Sequence, residues 1–175
     1  SELNDNFEFN ASKFKTFKVA IVREEGSNGD KEMAAAFLNA DFEVFDITMN
    51  DIIKSKGKLI HNFNGLAFVG GFSFSDVLGS AVGWSSSIML NNDLKYEFKK
   101  FYNNIKKFSL GVCNGCQLMS LIGFIPKVKL LKNESNRFES RCVQLKVYKN
   151  SNSIFLKDME DLIFNMWSAH GEGRF

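Results

Sequence analysis

Short apolar segments alternate with helical patterns between residues 17 and 122, and this alternation constrains the fold more than any other feature of the chain. Strands that alternate with helices favour an open, mostly parallel sheet with helices on both faces, which is an α/β fold. The expected strands of this sheet cover residues 17–22, 42–47, 66–69 and 108–112.

Helices are predicted between these strands. Asp30 suits the N-cap of a helix that begins near Lys31, because its short side chain can accept a hydrogen bond from the first turn. The apolar face of this helix is expected to contain Met33, Ala34, Phe37 and Leu38. Further helices are predicted over residues 51–56, around Ile88, and over residues 94–105 and 114–122.

The pattern changes after Pro126, which is the only proline in the chain. Residues 137–148 and 162–169 alternate as β strands do, and antiparallel additions at the sheet edge would account for them. We expect residues 1–15 to be a linker or tail. Residues 16–175 would then form one domain, truncated at its C-terminus and part of a longer polypeptide.

Composition restricts the class of protein. Hydrophobic residues make up 45% of the 175 residues and the net charge is +2, which indicates a globular chain without the basic patch of a nucleic-acid-binding protein. No apolar run is long enough to predict a membrane span. Three cysteines do not form a disulfide framework, so we expect a reducing, cytoplasmic location.

The most informative motif places Cys113 between Gly111 and Gly115, at the junction of a predicted strand and a predicted helix. A nucleophile on such an elbow sits on a tight, strained turn, and glycines two residues before and after it relieve the crowding. The helix N-terminus would face the thiol, so we expect a lowered pKa for Cys113. The backbone N–H of Asn114 would supply one oxyanion donor.

Other interpretations of this motif remain open. Cys113 and Cys116 form a C-x-x-C pair, which is also typical of thioredoxin-like redox proteins. A zinc site would need a second pair of ligands at suitable spacing. Cys113 could also be a structural cysteine in a tight turn. We expect Cys116 to lie in the core and Cys142 to pack within a strand.

A thiol nucleophile needs a base, and the chain contains two histidines. His61 lies in a polar stretch and is expected to be an exposed loop residue. His170 directly follows an apolar segment, and Glu172 would share its face in extended backbone. These positions predict a catalytic triad of Cys113, His170 and Glu172.

A second glycine-rich loop, Gly70-Gly71-Phe72-Ser73, follows the third predicted strand. In hydrolases with an elbow nucleophile, the second oxyanion donor comes from a neighbouring strand-end loop. The N–H of Gly71 or Phe72 is the candidate. Residues 75–84 show no regular pattern, and we expect this stretch to be functional.

Taken together, these motifs resemble the class I, triad-type glutamine amidotransferases, and among them the glutaminase domains of phosphoribosylformylglycinamidine synthases. The resemblance runs from about residue 17 to the end of the chain. Its motifs are Arg23-Glu24-Glu25-Gly26-Ser27-Asn28-Gly29, Gly70-Gly71-Phe72-Ser73 with Asp76-Val77-Leu78-Gly79, Gly111-Val112-Cys113-Asn114-Gly115-Cys116-Gln117, Ala169-His170-Gly171-Glu172-Gly173-Arg174 and the segment 133–141.

The resemblance implies a flavodoxin-like fold and hydrolysis of glutamine to glutamate and ammonia through a cysteinyl thioester. It implies that Gly71, Phe72 and Asn114 surround the oxyanion and that Gln117 and Phe138 hold the glutamine. The loop over residues 23–28 would lie near the active site. No cofactor is implied in this domain.

By the same resemblance, the partner is a synthetase domain of the same or a companion polypeptide, which would bind ATP and magnesium. That domain would use the ammonia to make formylglycinamidine ribonucleotide in purine biosynthesis. A glutaminase that serves another acceptor, a stand-alone thiol hydrolase of similar fold, and a module that only docks to a partner are the alternatives.

Overall fold

The computed structural model describes residues 17–175, so the predicted tail lies outside the described residues. In this part of the chain the strands are β1 (Lys18–Arg23), β2 (Ser27–Asn28), β3 (Glu43–Thr48), β4 (Gly65–Phe68), β5 (Gly70–Gly71), β6 (Phe108–Gly111), β7 (Glu139–Lys146) and β8 (Ile163–His170). The α-helices are α1 (Asp30–Asn39), α2 (Met49–Lys54), α3 (Val82–Met89), α4 (Asn92–Tyr102) and α5 (Asn114–Leu121). Short 3₁₀ helices cover Lys58–Asn62, Ser73–Asp76 and Ile154–Leu156.

The central sheet has four parallel strands in the order β3-β1-β4-β6. Val22 on β1 pairs with Phe68 on β4, and Phe68 pairs with Gly111 on β6. The carboxyl ends of these strands therefore meet at one edge, where open α/β sheets bind ligands. This arrangement confirms the predicted α/β class with a parallel sheet.

Side chains on the two faces of the sheet enter two separate apolar clusters. On one face, Val22 and Phe68 pack with residues of α2, α3, α4 and α5, including Trp84 and Leu118. On the other face, Ile21 and Val69 pack with the apolar side of α1. Because both faces are covered, the strands read as continuous apolar segments rather than as alternating ones.

The predicted antiparallel additions, β7 and β8, form a two-stranded sheet of their own, and the unpredicted strands β2 and β5 form another. β7 and β8 pair along their full length, with Glu139 opposite His170 and Lys146 opposite Ile163. β2 pairs with β5, so Ser27 lies opposite Gly71. The first pair carries His170 to the end of a strand, and the second joins the loop after β1 to the loop after β4.

Four local predictions are wrong. Asp30 is the first residue of α1, and Gly29, in the left-handed conformation with φ 84°, occupies the N-cap without a side-chain hydrogen bond. Leu38 is 57% exposed, because the inward face of α1 is centred on Phe37. His61 lies in a 3₁₀ helix and pairs with Glu97 of α4 at 2.7 Å.

The fourth wrong prediction concerns Cys142, which is exposed on β7. β7 pairs with β8 alone among the described strands, so most of its side chains contact solvent.

Among residues 17–175, no helix combines the length and the apolar character needed to cross a bilayer.

Gly115 sets how closely α5 approaches the sheet. A Cβ at this position would overlap the carbonyl group of Phe68 on β4. Gly115→Ala should therefore force α5 away from the sheet and lower the free energy of unfolding by about 1–3 kcal/mol, as overpacking a core does. Chemical denaturation measures this change.

Gly171→Ala is the matched control, because its Cβ would meet no atom closer than 3.8 Å. Equal stability losses in the two variants would show that the approach of α5 to β4 is not a packing constraint.

Candidate active site

Cys113 lies on a strained turn between β6 and α5. Its φ and ψ are 51° and −110°, a conformation that residues with a side chain rarely adopt. A Cβ at Gly111 would lie 2.6 Å from the carbonyl oxygen of Gly115 and from Sδ of Met119. The crowding on both sides of Cys113 is the reason for its flanking glycines, and it confirms the predicted elbow geometry.

The backbone N–H groups of Asn114 and Gly71 lie near the sulfur of Cys113, and both lower its pKa. Burial has the largest effect and raises the pKa, and the negative charge of Asp76 raises it further. The net result is a Cys113 pKa above the ordinary cysteine value. The sequence-based expectation of a lowered pKa is therefore wrong for this structure, because burial and the charge of Asp76 outweigh the two N–H groups.

The loop after β4 distinguishes between the two candidates for the second oxyanion donor. The N–H of Phe72 already donates to the carbonyl oxygen of Gly26 at 2.9 Å, whereas that of Gly71 faces Cys113. Gly71 has φ 107°, and a Cβ there would lie 2.7 Å from the oxygen of Gly26. The geometry therefore favours Gly71 over Phe72, and it places part of the loop over residues 23–28 against the site, as expected.

The side chain of Asn114 joins the elbow to this loop. It is fully buried, its Oδ1 accepts from the N–H of Ser73 at 3.2 Å, and its Nδ2 donates to Asp76 at 3.2 Å and to Gln117 at 3.1 Å. Sequence reasoning assigned Asn114 only a backbone role and Asp76 none. Asp76 belongs to the motif Asp76-Val77-Leu78-Gly79, but only the tertiary structure reveals its effect on Cys113.

Residues 75–84 are more ordered than predicted. Ser73–Asp76 forms a 3₁₀ helix that contains left-handed residues, and α3 begins at Val82. Asp76 caps the intervening turn, since its carboxylate accepts from the hydroxyl of Ser80 at 3.2 Å and from the N–H of Ala81 at 3.4 Å. A local turn network of this kind has no apolar periodicity, so the sequence pattern did not predict the order of residues 75–84.

His170 ends β8 beside the elbow. The thiol of Cys113 donates to the carbonyl oxygen of Ala169 at 3.3 Å, so the nucleophile contacts the residue directly before the predicted base. The imidazole Nδ1 lies 3.0 Å from Oδ1 of Asn133. Among the described residues no hydrogen bond joins the imidazole to Cys113, and the role of His170 as base stays a prediction.

Glu172 also reaches the site, but its carboxylate faces another partner. Its Oε2 accepts from the N–H of Ser80 at 3.4 Å, and its backbone carbonyl accepts from Nε2 of Gln117 at 2.7 Å. No hydrogen bond or ion pair connects this carboxylate with the ring of His170 within residues 17–175. The predicted orienting contact of Glu172 therefore stays a prediction.

The two predicted glutamine-binding residues have different surroundings. Gln117 is buried, and both polar atoms of its side chain are bonded within the chain. Phe138 is 54% exposed, with its ring centroid 6.4 Å from that of Phe72. Their roles in binding stay predictions.

In the described part of the chain, no group of three or more His, Cys, Asp or Glu side chains is placed to hold a metal ion.

Cys116 is half-buried rather than a core residue, and it is a free thiol, as is Cys113. Burial raises the pKa of Cys116, and the neighbouring Cys113 raises it further. Neither thiol carries the lowered pKa of a C-x-x-C redox nucleophile. The local electrostatics therefore do not favour the redox interpretation.

The charge of Asp76 provides a test of the thiol's electrostatics. Asp76→Asn keeps an oxygen at the same place but removes the negative charge, so it should lower the pKa of Cys113. The rate of Cys113 alkylation by iodoacetamide, followed by peptide mass spectrometry, should then rise at lower pH than in the wild type. Asp41→Asn, before β3 at the opposite edge of the sheet, is the control. An unchanged or higher midpoint for Asp76→Asn would contradict the assigned effect of Asp76.

Comparison with known proteins agrees with this geometry. A family model described as the CobB/CobQ-like glutamine amidotransferase domain matches residues 16–175. Phosphoribosylformylglycinamidine synthase of Dictyostelium discoideum is 49% identical over 169 residues, covering 92% of this chain and 12% of that protein. The probable phosphoribosylformylglycinamidine synthase of Caenorhabditis elegans is 48% identical over 180 residues, covering 98% of this chain and 13% of that protein.

A solved structure, that of PurLQS from Thermotoga maritima, superposes with a TM-score of 0.75 at 25% identity, covering 91% of this chain and 69% of that one. The chain spans only 12–13% of the length of the curated relatives named above. The matches confirm the resemblance inferred from the motifs. The chain therefore belongs to the CobB/CobQ-like glutamine amidotransferase domain family.

Proposed function

We propose that this chain hydrolyses the side-chain amide of glutamine with Cys113 as its nucleophile and delivers the ammonia to a synthetase domain. The observation that carries this proposal is the strained elbow at Cys113, with φ 51° and ψ −110°, beside whose sulfur the N–H groups of Asn114 and Gly71 lie. Two such donors, aimed at the atom that attacks a carbonyl, are also placed to stabilise the oxyanion formed in the attack.

The chemistry would begin with transfer of the Cys113 proton to His170 and attack of the sulfur on the amide carbon of glutamine. The oxyanion of the tetrahedral intermediate would accept hydrogen bonds from Asn114 and Gly71. When this intermediate collapses, the C–N bond breaks and His170 returns the proton to the leaving nitrogen, which departs as ammonia. Water, deprotonated by His170, then hydrolyses the thioester to glutamate and restores the thiol.

The raised pKa of Cys113 fits this sequence of steps. A buried neutral thiol is a weak nucleophile at rest, so the proton would leave only when substrate and base are both in place. Catalytic hydrogen bonds are often long or absent before substrate binds, and the missing contact between Cys113 and His170 agrees with a resting site. Glu172, two residues after His170, would stabilise the imidazolium by its charge.

The surroundings of the site support a partner domain. Phe72, Val77 and Leu78, on the loop that carries Gly71 and on the turn that follows it, are 55%, 80% and 73% exposed. Exposed apolar side chains gathered beside a site commonly mark an interaction surface. We propose an ATP- and magnesium-dependent synthetase that makes formylglycinamidine ribonucleotide as the partner, since the similar proteins named above are phosphoribosylformylglycinamidine synthases. We place this reaction in the cytoplasm, where Cys113 would stay reduced.

Substitution of the three predicted triad residues tests the glutaminase proposal. Cys113→Ala should abolish glutamate release, a loss of at least about 10⁴-fold in kcat, because no thioester can form. His170→Ala should be nearly as severe, and Glu172→Gln roughly 10²-fold milder, since nucleophile and base remain. The readout is glutamate produced from glutamine, assayed with the partner synthetase present.

Cys116→Ala is the matched control for loss of a thiol and should retain activity. Near-wild-type turnover by Cys113→Ala, or loss of activity in a folded Cys116→Ala variant, would contradict the proposed nucleophile.

The division of labour between two domains has its own test. When this chain is assayed together with its proposed synthetase domain, Cys113→Ala should lose glutamine-dependent synthesis but keep synthesis supported by added ammonium salts. The two half-reactions would share only free ammonia, so removing the source should not impair its use. The measurement is ATP-dependent formation of the amidine product. Loss of the ammonia-supported reaction in a folded variant would mean that Cys113 serves the synthetase step itself.

A further inference from the structure

Asn133 connects three segments around His170. It lies between α5 and β7 and is buried, with 8% of its surface exposed. Its Oδ1 is 3.0 Å from Nδ1 of His170 and 3.4 Å from the N–H of Gly173. Its Nδ2 donates to the carbonyl oxygens of His170 at 2.8 Å and Arg137 at 2.9 Å.

These contacts determine which way the amide of Asn133 faces. The two backbone carbonyl oxygens can only accept hydrogen bonds, so the NH₂ group of Asn133 must point toward them. The N–H of Gly173 can only donate, so it needs the oxygen on the other side of the amide. A flipped amide would set oxygen against two carbonyl oxygens and an NH₂ group against an N–H.

The orientation of the amide in turn determines the protonation of His170. Oδ1 of Asn133 is an acceptor, so Nδ1 of His170 must carry the proton. A neutral imidazole has one N–H, and Nε2 is then left with its lone pair. The described residues 17–175 supply no hydrogen-bond partner to Nε2, which leaves it able to take a proton.

The ring is also confined sterically. A Cβ at Gly173 would overlap the imidazole of His170, so the ring occupies the space that a side chain at 173 would need. Asn133 therefore orients the ring of His170 through a hydrogen bond, and Gly173 leaves the space that the ring occupies. The carboxylate of Glu172, which the sequence predicted for this task, lies against the N–H of Ser80 instead.

We propose that Asn133 is a positioning residue that holds His170 as the Nδ1–H tautomer, with Nε2 as the proton acceptor for the thiol. This inference rests on the glutaminase function proposed above, because it assigns a task to His170. Asn133 acts through His170, without itself touching the reacting atoms.

Nitrogen-15 NMR of the histidine side chains tests the tautomer directly, because protonated and unprotonated ring nitrogens have well-separated chemical shifts. The spectrum is recorded on the whole 175-residue chain without glutamine, at a pH where imidazole is neutral. His170 should show Nδ1–H. His61 is the internal reference for the opposite tautomer, because its Nε2 lies 2.7 Å from a carboxylate oxygen of Glu97 and must be the donor. His61→Ala assigns the resonances, since the chain has two histidines.

Three variants separate the candidates for the orienting group. Asn133→Leu should lose the Nδ1–H preference. Asn133→Asp loses the two bonds to backbone carbonyls but still offers an acceptor to Nδ1, so it should keep the preference. Glu172→Gln should leave the tautomer unchanged. A wild-type spectrum with Nε2–H at His170 would overturn the inference even if Asn133→Leu failed to fold. So would a folded Asn133→Leu variant that keeps Nδ1–H, or a Glu172→Gln variant that loses it.

Activity provides the second readout. The wrong tautomer of a catalytic histidine costs about 10⁴-fold in kcat, and loss of a preference should cost less. We expect Asn133→Leu to lose roughly 10²-fold in kcat for glutamate release. Asn133→Asp should recover only part of that loss, because its second oxygen would face the carbonyl oxygens of His170 and Arg137. An active Asn133→Leu variant with unchanged kcat would contradict the role of Asn133. Absence of glutamate release by the wild type, with Nδ1–H still observed, would instead refute the glutaminase proposal and leave the tautomer assignment intact.

Discussion

The close approach of α5 to the central sheet is the constraint on which the rest of the site depends. Gly115 lets the helix lie against the carbonyl of Phe68, and Gly111 leaves room for the first turn of the helix. Cys113 is thereby held at φ 51°, a conformation that the surrounding packing must enforce. If α5 moved outward, the thiol would lose the N–H of Gly71, which belongs to a different strand.

A network of buried amide side chains transmits this geometry to the neighbouring loops. Asn114 bonds the loop after β5, and Gln117 bonds the carbonyl of Glu172 in the segment after β8. Asn133 bonds the same segment at His170 and Gly173. Amides suit this task because each offers donors and an acceptor without a charge, so they can be buried at lower cost than carboxylates. Three separate segments are consequently fixed around one cysteine.

Opposing contributions act on the pKa of Cys113. The N–H groups of Asn114 and Gly71 favour the thiolate, but burial and the charge of Asp76 favour the neutral thiol and raise the pKa. Activation would then depend on His170, and the tautomer of His170 becomes important. Asn133, an uncharged residue to which the sequence assigned no role, acquires its significance through that dependence.

The sequence by itself determined the α/β class, the order of the longer strands and helices, the elbow at Cys113 and the family, because each depends on local periodicity or on residues adjacent in the chain. It also placed His170 at a strand end. Tertiary structure alone decided which N–H groups face the sulfur, that Phe72 is already bonded to Gly26, and that Asn133 rather than Glu172 lies against the imidazole. It also decided the sign of the Cys113 pKa shift. These outcomes depend on distances and on burial between segments that are far apart in the chain, and no local pattern of residues specifies them.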